Sequence, residues 1–133
     1  MSEFPEAKNW KMLIGGQWVG AADGDTTDVI TPIDRNVVIA TVPNGKEADA
    51  DRAVQAARNA FPEWAALPFK ERQKKLVACA DALDAASEEL AQLTAIDTGN
   101  AIRTQARPET IVLADLFRYM GGVAGEVDRK SVV

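Results

Sequence analysis

With 133 residues, a net charge of −5 and 47% hydrophobic composition, the chain suits one domain with enough apolar side chains for a core, and its acidic balance argues against a nucleic-acid or anionic-membrane partner. The absence of histidine removes histidine-activated serine or cysteine nucleophiles and histidine zinc sites together. The single cysteine, Cys79, cannot close an intrachain disulfide, no apolar run can span a bilayer, and the polar opening MSEFPEAKNWK lacks the layout of a secretory signal, so the cytoplasm is the expected compartment.

Residues 1–12 read as a tail. Leu13-Ile14 and Gln17-Trp18-Val19 then flank Gly15-Gly16, a pair that permits the positive φ of a tight hairpin. After the loop AADGD, two β-branched runs at 26–31 and 37–42 are separated by the turn-rich spacer Pro32-Ile33-Asp34-Arg35-Asn36. This predicts a second hairpin, ended by Pro43-Asn44-Gly45.

From Lys46 the period becomes helical. Ala50, Val54, Ala57 and Phe61 recur at helical spacing, and Pro62 is expected to end that helix. Pro68 suits the first turn of the next, whose apolar stripe is Phe69, Leu76, Cys79-Ala80 and Leu83. Ser87 is placed as an N-cap, followed by Glu88 and Glu89, and Gly99 as the C′ glycine of the third helix. Pro108 and Glu109 open a fourth helix. Val112, Leu116, Tyr119 and Val123 line one face of it, and Leu113, Phe117 and Met120 widen that face enough to predict burial on more than one side. Strands do not alternate with helices, so no βαβ crossover is complete, and the expected order is two β-hairpins followed by about four α-helices.

Candidate chemistry is sparse. Cys79 lies on the apolar stripe without a histidine to activate it, so a buried structural thiol is expected. The run Gly121-Gly122-Val123-Ala124-Gly125 superficially suggests a phosphate-binding loop, but it follows a helix rather than a strand, and a helix end is the reading adopted. Arg52, Arg58, Lys70, Arg72, Lys74 and Lys75 alternate with acids as on a solvated face. Asp97-Thr98-Gly99 is explained mostly by helix termination, yet Asp97 puts an acid at the negative end of the helix dipole, which is unfavourable unless a cation sits nearby.

The segments LIGGQWVGAADGDTTDVITPIDRNVVIATVP, ADADRAVQAARNAFPEWAALPFKERQKKL, EELAQLTAIDTGNAI and FRYMGGVAGEV, in that order, closely resemble the N-terminal segment of the NAD(P)-dependent aldehyde dehydrogenase superfamily. The resemblance runs over residues 13–127 and implies an α/β, Rossmann-like parent fold, with 13–127 as the N-terminal part of its cofactor-binding domain and 128–133 as a truncated or altered end. It implies a parent reaction in which a cysteine thiolate adds to an aldehyde, hydride leaves to NAD or NADP, and a glutamate-activated water releases the carboxylic acid. The catalytic cysteine, glutamate and asparagine of the family fall beyond this stretch, so no catalytic or cofactor-binding residue is assigned and no cofactor is expected for the chain alone. The partner is then the rest of the parent chain or another subunit, with self-association otherwise. The alternative role is an interaction module for a full-length subunit. Some family members are similar in holding K+ or Na+ between an INP-like strand end and the acid of a DTGK motif. Carried over, that places backbone oxygens of Val29 and Ile30 and the Asp97 carboxylate around a monovalent cation, with Thr31 where the family usually has Asn and Asn100 where it usually has Lys.

Overall fold

The structure is a computed structural model and describes residues 6–129, with side chains described as far as residue 123. In chain order the elements are β1 (Lys8–Asn9), β2 (Met12–Ile14), β3 (Gln17–Val19), β4 (Thr26–Ile30), β5 (Val38–Pro43), α1 (Glu47–Ala66), α2 (Phe69–Ala85), α3 (Ser87–Thr98), a π-helical turn (Ile102–Ala106) and α4 (Arg107–Arg129). The chain divides into two compact units. One takes the chain up to Pro62 together with Ile96–Gly99; the other takes Glu63–Ala95 and the chain from Asn100 onward. Residues 130–133, within the stretch expected to be truncated or altered, lie outside the described residues.

In the first unit both expected hairpins form. Gly15 and Gly16 adopt φ of 59° and 77°, the left-handed pair that lets a two-residue turn follow the twist of its strands. β2 and β3 run antiparallel across it, with Leu13 opposite Trp18. β4 and β5 also pair antiparallel, but the register shifts after Val29: Val29 faces Ala40 and Ile30 faces Val38. Ile39 is therefore the extra residue of a bulge, and the bend allows Ile39 and Ala40, neighbours in sequence, both to be buried.

The two hairpins belong to different sheets. β5 is the central strand of a three-stranded sheet with β4 on one side and β1, parallel to it, on the other. Sequence alone assigns Lys8 and Asn9 to the tail, because a two-residue strand is too short to show an alternation and its pairing with Ala40 and Thr41 is remote in sequence.

α1 passes through Pro62 and ends at Ala66, correcting the expected stop. The proline lacks its own N–H and crowds the preceding turn, but only four residues follow it in the helix, and the chain closes with Leu67 N–H donating to the Trp64 carbonyl at 3.2 Å. The Ala50, Val54, Ala57 and Phe61 stripe exists and is exposed, Phe61 at 65%.

In the second unit α2 packs on α4. The buried residues of these two helices are small: Ala80 on α2, and Thr110, Ala114 and Gly121 on α4. Thr110 satisfies its hydroxyl by donating to the Arg107 carbonyl at 2.8 Å. The bulky residues expected to be buried instead face outward, with Val112 at 55%, Leu116 at 49% and Tyr119 at 64% exposure. At the edge of the contact Arg118 bonds Asp81 at 3.0 Å and also pairs with Asp84. Gly121 and Gly122 do not end a helix. α4 continues through 121–125 to Arg129, with Gly121 lying against Leu76 and Gln73 of α2.

The backbone at Gly121 has room for one more carbon. A Cβ there would stand 3.5 Å from Leu76 Cβ and 3.6 Å from Gln73 Cγ, ordinary contact distances. Alanine is favoured over glycine within a helix by about 1 kcal/mol. Gly121→Ala is therefore expected to raise stability by up to about 1 kcal/mol in urea unfolding, and a decrease would show that α2 and α4 tolerate no added volume.

Arg107, the first residue of α4, grips Glu88 in α3 with both arms of its guanidinium, each at 2.8 Å. That bond, with a second from Gln92 at 3.1 Å, holds the Glu88 carboxyl down at about 2. A depressed carboxylate pKa stabilises the fold fully above its ordinary value of 4.5, and the contribution fades as pH falls from there through about 2. Both side chains are about half exposed, so the effect is small. Replacing Glu88 by Gln should lower the melting temperature modestly at pH 7, and the gap should close on acidification; a gap that is constant with pH would remove the ion pair as its cause.

Candidate functional site

Thr31 directly follows β4, and Pro32 after it excludes the helical region and keeps Thr31 extended. Its N–H reaches the Val37 carbonyl at 3.2 Å, closing the hairpin loop. Its side chain is completely buried, and its Oγ1 donates to the Ile96 carbonyl at 2.6 Å. Ile33 N–H returns to the same oxygen at 3.4 Å.

The acceptor belongs to the last turn of α3. A helix leaves its final four carbonyls without intrahelical donors, and Ile96 is among these because α3 ends at Thr98. Gly99 follows with φ of 77°, the C′ glycine expected from sequence. A Cβ on Gly99 would lie 3.2 Å from Pro32 Cγ, so the turn fits closely against the residue after Thr31. Two contacts thus join the end of β4 to the end of α3: a part-buried hydrogen bond and a tight glycine–proline approach.

The residues assigned to a cation from sequence flank this junction. Ile30 immediately precedes Thr31, and Asp97 immediately follows Ile96, so the Thr31–Ile96 bond brings the strand end and the acid-bearing turn together. Val29 is half-buried; Ile30 and Asp97 are exposed. The donor set, two backbone carbonyl oxygens and one carboxylate, has the hard-oxygen chemistry and single charge that suit a monovalent cation. Among the described residues no group of three or more His, Cys, Asp or Glu side chains could hold a metal ion, so a site here would rest chiefly on backbone oxygens.

A second buried polar side chain is structural. Asp49, 2% exposed, accepts N–H bonds from Ala22 at 3.1 and 3.2 Å and from Lys46 at 3.1 Å. Lys46 is the residue before α1 and Asp49 the third within it, the geometry of a capping box. The bond from the Lys46 amide, helped by that of Ala22 and by the Arg52 charge at 3.5 Å, holds the Asp49 carboxyl below its usual range against the opposing effect of burial. Both oxygens are occupied by backbone donors, so Asp49 fastens the loop after β3 to the start of α1 and offers nothing to a ligand. Its signal in the sequence was an acid in the first turn of an uncapped helix.

Cys79 is exposed, which corrects the expectation of a buried thiol. The buried line of α2 runs through Ala80, with Leu76 half-buried one turn before, and Cys79 falls off its edge. The glycine run at 121–125 lies within α4, so it presents no helix N-terminus to a phosphate.

The junction predicts two substitutions. Thr31→Val keeps the shape and deletes the hydroxyl, leaving the Ile96 carbonyl without its donor, a loss of about 1–3 kcal/mol. Gly99→Ala forces a left-handed non-glycine residue against Pro32, at about 1–2 kcal/mol before any clash. Urea denaturation measures both, and wild-type stability in either variant would show that the junction is not a structural lock.

A family model described as the aldehyde dehydrogenase family matches residues 18–133. A mitochondrial benzaldehyde dehydrogenase of Antirrhinum majus is 40% identical over 119 residues, covering 88% of this chain and 22% of the relative. Among solved structures, the NAD-dependent aldehyde dehydrogenase of Sinorhizobium meliloti superposes with a TM-score of 0.82 at 36% identity, covering 86% of this chain and 23% of that one. A betaine aldehyde dehydrogenase variant of Staphylococcus aureus in complex with NAD+ superposes at 0.80 with 35% identity, over 85% of this chain and 23% of that one. The chain spans less than a quarter of the length of each of these relatives.

Proposed function

Because the chain belongs to the aldehyde dehydrogenase family and has the fold of its N-terminal segment, we propose that it forms part of the cofactor-binding domain of an NAD(P)-dependent aldehyde dehydrogenase and is inactive alone. The observation that carries this reading is the core. Among the described residues the largest side chain buried completely is Thr31, and the other fully buried side chains are alanines. Leucines, isoleucines and valines normally fill that role in a self-sufficient domain. Here Val112, Leu116, Tyr119 and Met120 of α4 stay exposed, as helices do when the surface they cover is supplied by something else.

In the proposed parent reaction a cysteine thiolate adds to the aldehyde carbonyl, hydride passes to the nicotinamide, and water releases the acid from the resulting thioester. No residue of this chain is given a part in those steps. Its one cysteine stands exposed on α2, and the sequence has no histidine. The chain's contribution is scaffold: it covers and positions the elements that bind the dinucleotide. The same exposed faces support a second role, an interaction module for a full-length subunit. A single unpaired cysteine is consistent with a reducing compartment, for which we propose the cytoplasm. Among the described residues no helix is long and apolar enough to cross a membrane.

At the β4–α3 junction we further propose a K+ or Na+ site formed by the Val29 and Ile30 carbonyl oxygens and the Asp97 carboxylate. Its support is the Thr31–Ile96 bond, which ties the residue after Ile30 to the residue before Asp97, and a cation there would relieve the acid at the helix C-terminus.

Calorimetric titration with NAD+ and with NADP+ tests the main reading. The expected result is no binding in the micromolar range and no aldehyde-dependent reduction by the chain alone; micromolar affinity would mean that the chain carries a dinucleotide site of its own.

A further inference from the structure

We infer that Thr31 is the positioning residue of the cation site, setting the Asp97 carboxylate against the Ile30 carbonyl through its hydrogen bond to Ile96. The inference rests on the cation reading given above and adds to it a residue that touches no cation. Thr31 is the largest completely buried side chain among the described residues, and its hydroxyl makes a 2.6 Å bond across 65 positions of sequence. Its β-carbon is branched, so χ1 is confined and the hydroxyl has little freedom to aim elsewhere. The acceptor is a carbonyl near the end of a helix, where the backbone is otherwise least constrained.

The consequences for the site follow from chain connectivity. Ile30 and Thr31 share one peptide plane, and the carbonyl of Ile30 belongs to it. Ile96 and Asp97 share the next relevant plane, whose oxygen accepts the Thr31 proton. The bond therefore links the peptide that offers a carbonyl ligand to the peptide that introduces the carboxylate. The fit of Gly99 against Pro32 restrains the same turn from its other end. Serine could make the hydrogen bond in place of threonine; valine would fill the volume and could not. An asparagine at this position would need a different reach to the same carbonyl, so the chain's threonine makes its own version of the link.

The experiment uses the 133-residue chain. Its thermal midpoint is followed while KCl replaces choline chloride at constant ionic strength, so that only cation identity changes. The wild type should be stabilised by K+ with saturation, and Asp97→Asn should abolish that response. Thr31→Ser should keep the half-saturating K+ concentration of the wild type, whereas Thr31→Val should raise it about tenfold, as loss of an outer-shell support does at metal sites. Should Thr31→Val not fold, Gly99→Ala, which displaces the same turn from Pro32, is expected to raise it likewise. A Thr31→Val chain that melts earlier yet responds at wild-type K+ concentration would overturn the positioning role while leaving the cation site standing. A wild-type chain indifferent to K+ and to Na+ would overturn both.

Discussion

Helices approach one another closely only where their facing side chains are small, and in this chain that condition decides what is buried and what is left outside. α2 packs on α4, the buried residues of the two helices are Ala80, Thr110, Ala114 and Gly121, and Leu76, which stands against Gly121, is only half-buried. The face of α4 that carries Val112, Leu116 and Tyr119 cannot also turn toward α2, because the two sets lie on different sides of the same helix. A contact built from alanine and glycine removes little apolar area from water, whereas each exposed leucine or valine forgoes about 1.5–3 kcal/mol of burial. The arrangement makes energetic sense when the larger residues have a second surface to cover. α1 tells the same story with its exposed Val54 and Phe61.

The β4–α3 junction is the most tightly specified point of the first unit. Four local preferences converge there: Pro32 keeps Thr31 extended, Thr31 satisfies an orphan carbonyl, Gly99 accepts the left-handed turn, and Pro32 fills the space beside it. Each is intelligible as fold stability alone. The proposed cation site would draw on the residues that flank this junction in sequence, among them an acid whose position at a helix C-terminus is otherwise unfavourable. Helix termination at Gly99 and the cation proposed at Asp97 are thus compatible readings of Asp97-Thr98-Gly99.

Much of this was legible in the sequence where the signal is local. Gly15-Gly16 and the turn-rich spacer after Pro32 marked both hairpins, and Gly99 marked the end of α3. What escaped depends on remote or marginal contacts. β1 is defined by two residues paired to β5, and no pattern that short is readable. The π-helical turn at Ile102–Ala106 has no composition of its own and is held by Ala101, whose carbonyl accepts from the Gln105 backbone N–H and whose own N–H donates to Gln105 Oε1. Pro62 and the glycine run at 121–125 were read as stops, yet propensity yields to context within a helix already propagating. Cys79 shows the limit of stripe counting: the stripe was real, but its buried centre fell on Ala80. At the candidate site Val29, Ile30 and Asp97 follow from family resemblance, whereas Thr31 stands out in the sequence only as a departure from it, and its bond to Ile96 depends on a contact remote in sequence.

The exposed faces of α1 and α4 are surfaces for another element to cover. Light scattering on the isolated chain after gel filtration, across a wide concentration range and with a hydrophobic dye added, tests this most directly. The expected result is a mass that rises above the monomer with concentration, together with dye binding. A stable monomer over the whole range that leaves the dye dark would contradict it.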